Sequence, residues 1–225
     1  MISMNLVRLS AALPFLSLIS DHPFPAVAPA TVHVSIATLH AAALTSPRQA
    51  TDSVDAPYFL ASIAGASSSS STIQLPASGH LIIHEDEALG ARTLVDLHLQ
   101  PGDSIRLLIS VLEGKKIQAT EEAAAVKAST AALLQPSEAR ASIVATALKP
   151  VVAMGGAHWL GSVTLLLTNE GGTAYWRGLE CVATCKVLSG AGAAAVASGK
   201  GVAGVVELSG SGGTYHMQLQ GQRAP

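Results

Sequence analysis

His80-Leu81-Ile82-Ile83-His84-Glu85-Asp86-Glu87 is the one stretch of this chain that gathers imidazoles and carboxylates in a short span. On a helix, the i, i+4 spacing of His80 and His84 would put both rings on one face and suit a zinc ion. Gly79, the upstream Pro76 and the Ile82-Ile83 pair favour a strand instead. On a strand the two rings share a face but stand roughly 13 Å apart, at about 3.3 Å per residue, too far to chelate one metal. Asp96 and His98 also fall on one strand face and could pair, yet no nucleophile accompanies them. The chain also has no Gly-x-Ser-x-Gly turn. A metal-dependent or hydrolytic enzyme would need folding to bring His80, His84, Asp96 and His98 together.

Other chemistry-bearing patterns fail on context. Gly190-Ala191-Gly192-Ala193-Ala194-Ala195 imitates a dinucleotide-binding turn, with Glu207 near the expected acid position. Too little chain follows Glu207 to build the parallel sheet that motif requires. Gly199-Lys200-Gly201 lacks the Ser or Thr of a phosphate loop. Cys181 and Cys185 are the only cysteines. A disulfide between them needs a bend or helical turn, since an extended strand would hold their Cα atoms too far apart. Two small buried thiols are the other reading of the same pair. Tyr175-Trp176-Arg177 is the candidate ligand-binding patch, because it puts two amphipathic rings and a cation just after a turn. Core packing competes for those rings in a chain with only 4% aromatics.

The elements that must position these residues are mostly strands. Val95, Leu97 and Leu99 alternate with Asp96 and His98, then Pro101-Gly102-Asp103 breaks the run before a second β-rich segment, Ser104 to Leu112. That pattern predicts an antiparallel hairpin over 92–113. Further strands are expected at Thr31 to Leu39, Pro57 to Ile63, His80 to His84 and Ser162 to Leu167. Tyr175 to Val187 reads as one returning strand after an Asn169-Glu170-Gly171-Gly172 turn, and a terminal hairpin closes the chain. Ala-rich segments starting at Thr120 and Pro136 predict a two-helix insertion over about 119–154, bent or ended at Pro150.

Composition bounds the partners. Charged residues are 12% of the chain, net charge is −2, and no basic block exists for counterion release, so nucleic acid is not an expected partner. Residues 1–30 read as a signal peptide: Arg8 supplies a thin positive region, Leu9 to Ile19 an apolar run, and Ala28-Pro29-Ala30 a cleavage pattern. A disordered N-terminal arm is the alternative. No later segment is long and apolar enough for a transmembrane helix. The expected location is therefore secreted, periplasmic or cell-surface, or cytoplasmic if residues 1–30 are not a signal, with one domain spanning residues 31–225.

Thr51-Asp52-Ser53-Val54-Asp55-Ala56-Pro57-Tyr58, the Leu160-Gly161 step and Gly212-Gly213-Thr214-Tyr215-His216-Met217 resemble landmarks of C2-like β-sandwich domains, in outline across Thr31 to Leu219. Ala56 stands between the acid and the proline, and the second loop carries His158 where such domains carry acids. The resemblance implies an antiparallel β-sandwich and, through Asp52 and Asp55 alone, Ca²⁺ between two loops, followed by docking on protein or lipid. Calcium wants six to eight oxygens. Two loop aspartates also serve well as caps that bond the backbone. The expected function is a non-catalytic exported binding or structural module for a protein, glycan or lipid surface. A self-associating assembly subunit, and so a homo-oligomer, is a further reading.

Overall fold

The computed structural model describes residues 28–45, 54–65, 71–77, 81–114, 137–155, 158–190, 192, 194–197 and 201–224. Within them the chain is mainly β, with antiparallel sheets and one helix. It opens with β1 (Ala30–Ala43), β2 (Val54–Asp55), β3 (Pro57–Gly65) and β4 (Ser71–Leu75). Then come β5 (Ile83–His84), β6 (Ala88–Leu89), β7 (Arg92–Leu99), β8 (Ser104–Glu113) and the helix α1 (Ser137–Gly155). After the helix run β9 (His158–Glu170), β10 (Thr173–Ala183), β11 (Cys185–Gly190), β12 (Ala194–Ala195), β13 (Gly201–Leu208) and β14 (Thr214–Arg223).

One six-stranded sheet runs β11-β13-β14-β1, with β6 and β7 both paired to β1. The other runs β12-β10-β9-β8-β3-β4, and β2 pairs with β5 in a small separate ladder. Period-two alternation turns one face of each sheet inward. Val32, Val34, Ile36, Leu97, Met217 and Leu219 from the first sheet join Phe59, Leu107, Ile109, Val163, Leu165 and Trp176 from the second in one buried cluster. Burying each such side chain is worth roughly 1.5–3 kcal/mol. This shared core is the main cohesion between the sheets.

The helix covers the opposite face of the second sheet. Val144 and Leu148 of α1 pack on Tyr58, Leu60, Leu108, Leu112 and Val182. It continues through Pro150, where the sequence predicts a bend or an end; one missing backbone N–H there does not outweigh this apolar contact. The first helix of the expected insertion, over residues 119–136, lies outside the described residues. No described helix is long and apolar enough to cross a membrane.

Two expectations are corrected. The segment 92–113 is not a hairpin: β7 pairs with β1 in the first sheet, whereas β8 lies between β3 and β9 in the second. The reason is in the faces. Strand β7 buries one side and wets the other, while β8 buries Leu107, Leu108, Ile109, Val111 and Leu112 in succession and needs cover on both sides. Asn169 fastens the crossing, its side-chain amide donating to the Leu99 carbonyl at 2.9 Å and its backbone N–H to the Asp103 carbonyl at 3.0 Å.

Residues 175–187 are likewise not one strand. Thr184, in the left-handed region at φ 48°, ends β10 in the second sheet and starts β11 in the first. The bend brings the Cα atoms of Cys181 and Cys185 to 5.6 Å, and the two are joined by a disulfide.

Candidate functional site

A cationic cavity of about 270 Å³ opens on the outer face of the second sheet. Three elements each bring it one arginine. Arg106 stands on β8 opposite Leu166 of β9, on the face away from the shared core. Arg140, in the first turns of α1, is only 7% exposed and donates from Nη1 to Glu180 Oε2 at 2.6 Å. Arg177 is the extra residue of a β-bulge: Trp176 faces Leu167 and Gly178 faces Leu166, with no partner position left between them. The bulge carries Arg177 to the outer side, where Gly178, without a side chain, leaves room beside it.

The electrostatics are lopsided. Among the described residues, three guanidinium charges line the cavity against one lining carboxylate, Glu180. Glu170, outside the lining, pairs with Arg177 Nη2, and Thr168 Oγ1 accepts from Arg177 Nε at 3.1 Å. Two of the five N–H donors of that guanidinium are thus engaged. Its Cζ also lies 4.8 Å from the centroid of the Tyr175 ring, a cation–π contact that holds the fork over the sheet. Thr164 adds a hydroxyl to the wall.

A second polar cluster sits at one end of the sheets. Asp55 is fully buried and accepts from the Thr45 backbone N–H at 2.8 Å, the Thr45 hydroxyl at 3.0 Å and the Tyr215 hydroxyl. The same Thr45 Oγ1 lies 3.1 Å from Oε2 of the buried Glu113, with His158 Nε2 at 4.0 Å. Burial first, and the neighbouring Asp55 second, push the Glu113 carboxyl above its ordinary value of 4.5. A hydroxyl carries one proton, so Thr45 donates to one carboxyl only. With that one hydroxyl shared, the burial of both carboxyls favours the protonated form of Glu113 more than an exposed site would. Burial and the Asp55 bond also push the Tyr215 hydroxyl well up, which keeps it a donor.

The sequence-nominated residues scatter. Tyr175 and Arg177 lie beside the cationic cavity, but Trp176 is buried in the shared core and unavailable to a surface ligand. A methyl at position 221 would overlap its indole, so Gly221 is what lets that ring cross between the sheets. Asp96 does not pair with His98. It bonds His33 across the β1–β7 ladder at 2.6 Å, while His98 bonds Thr31 at 3.0 Å. His84 is exposed on β5, and its backbone N–H donates to Glu87 at 2.7 Å. His80 and Asp52 lie outside the described residues. Among the described residues no group of three or more His, Cys, Asp or Glu side chains could hold a metal ion.

Sequence reading missed Arg106 and Arg140. Arg106 left a signal, as a lone charge inside the apolar run Ile105 to Leu108. Arg140 left none, because its burial depends on where α1 docks. Comparison with protein-family models, curated proteins and solved structures finds no match.

Proposed function

We propose that this chain is a non-catalytic binding module: a two-sheet β-sandwich holding an arginine-lined cavity that takes a small oxyanion. The single observation that carries the reading is the convergence of Arg106, Arg140 and Arg177, from a strand, a helix and a bulge, on one cavity with one lining carboxylate among the described residues. Guanidinium forks match the geometry of phosphate and carboxylate oxygens and keep their charge at any physiological pH. The wall supplies donors, while its one carboxylate among the described residues, Glu180, is engaged by Arg140. That favours holding a ligand over transforming one. Asp55, nominated for calcium, is instead buried and surrounded by protein donors, so the proposal places no cation there. Export, read from residues 1–30, and the C2-like resemblance belong to the same proposal.

The test is calorimetric titration of the full chain with inorganic phosphate, at constant ionic strength set with chloride. Binding is expected in the parent and should weaken at least tenfold in Arg106→Gln and Arg177→Gln. Equal heats from phosphate in parent and both variants would overturn the reading.

A further inference from the structure

Arg92 begins β7 opposite Ile36 of β1, and no carboxylate among the described residues pairs with it. Two cavities of about 250 Å³ each meet at Arg92 and Thr93. One is polar, walled by His33 and Ser35 of β1 and by Gln220 and Gln222 of β14. The other is apolar, walled by Phe59, Leu75 and Leu81 with Pro76 and Ala77, where the β4 edge of the second sheet meets the β7 edge of the first. The junction sits at a β-bulge: Val34 faces Val95 and Ser35 faces Thr93, so Leu94 is the extra residue. A bulge of this kind re-aims the side chains beside it.

An unpaired cation at the mouth of an apolar cavity selects for both properties at once. An uncharged apolar molecule would leave Arg92 unused, and a cation would be repelled. A compact inorganic anion would leave the apolar wall wet. The volume lies just under the ~300 Å³ lower end for small-molecule sites, so a short chain fits and a long-chain lipid does not. We infer that this junction binds a medium-chain alkyl carboxylate, its chain between the sheet edges and its head group on Arg92. The polar cavity beyond Arg92 puts the Gln220 amide on the carboxylate's side of the junction. This site shares no lining residue with the arginine cavity and stands or falls separately.

Titration of the full chain with sodium octanoate tests it, with octylamine and acetate as controls for head-group charge and for the chain. Octanoate is expected to bind and the two controls are not. Arg92→Gln should weaken octanoate at least tenfold, and Ala77→Trp, at an exposed wall position, should abolish it, with melting curves confirming that both variants fold. Arg177→Gln should leave it unchanged. The inference is overturned if octanoate does not bind, if octylamine binds as well as octanoate, or if Arg92→Gln binds octanoate like the parent.

Discussion

Charge of one sign is gathered twice in this molecule, and the two solutions are opposite. The arginines of the outer-face cavity keep their charge and are tempered by Glu180 and Glu170 near solvent. Asp55 and Glu113 are buried with no arginine or lysine among their contacts within the described residues; the Thr45 and Tyr215 hydroxyls and the Thr45 backbone N–H hold them, and burial raises the Glu113 carboxyl above its ordinary value. Arginine cannot shed its charge, so it must stay near water or a counter-charge. A carboxyl can take up a proton, so it can be buried among neutral donors. The ability to lose charge thus separates the buried carboxyl cluster from the arginine cavity that we propose as the ligand site.

The largest effect should come from breaking the buried side. Asp55→Ala strands the Tyr215 hydroxyl and the Thr45 N–H without an acceptor and should cost about 2–5 kcal/mol of unfolding free energy. Urea denaturation at neutral pH measures it; a loss under about 1 kcal/mol would mean water replaces the carboxyl and the cluster is not structural.

Glu113→Gln probes the same buried side through a smaller, pH-dependent effect. A group whose folded pKa is raised stabilises the fold below its unfolded value, and that contribution is lost as pH rises through the folded value. Parent stability relative to Glu113→Gln should therefore be highest near pH 4 and fall as pH rises past the raised value. The fall is roughly 1.4 kcal/mol for each tenfold by which the folded chain binds that proton more tightly than the unfolded one. Melting both proteins across pH 4 to 8 gives the difference curve, and a curve that rises with pH would place the proton elsewhere.

The smallest effect belongs to the exposed side. Arg177→Ala, which removes one partner of a solvent-facing ion pair, should change stability by no more than about 0.5 kcal/mol. A loss above about 2 kcal/mol in the same urea titration would make the outer-face arginines structural and erase the distinction.

What could be read beforehand follows how local each signal is. The terminal hairpin and the turn at Gly171-Gly172, with φ of 59° and 85°, are written in a few adjacent residues, and both stand in the structure at the predicted positions. Sheet membership is not local, since the alternation in β7 and β8 says that each buries a face without saying against what. The candidate sites follow the same rule. Arg177 was visible because it follows a turn, but its companions come from chain 71 and 37 residues away (Arg106 and Arg140). Asp55 was noticed for its loop companions, while the partner that defines its role, Tyr215, is 160 residues further on.

The passage of the chain from β10 through Thr184 into β11, tied by Cys181–Cys185, makes the two sheets resemble the covers of a bound book. The spine is covalent, both through the backbone and across the sulfurs. On the fore-edge, β4 and β7 face each other with no ladder of hydrogen bonds between them. The far end of β7 is bound too, since the chain crosses from it into β8 through residues 100–103 beside Asn169, so the unstitched part is the stretch around Arg92 and Thr93. The slot at that edge is bounded by side chains rather than by rungs of either sheet, and that is where Arg92 stands.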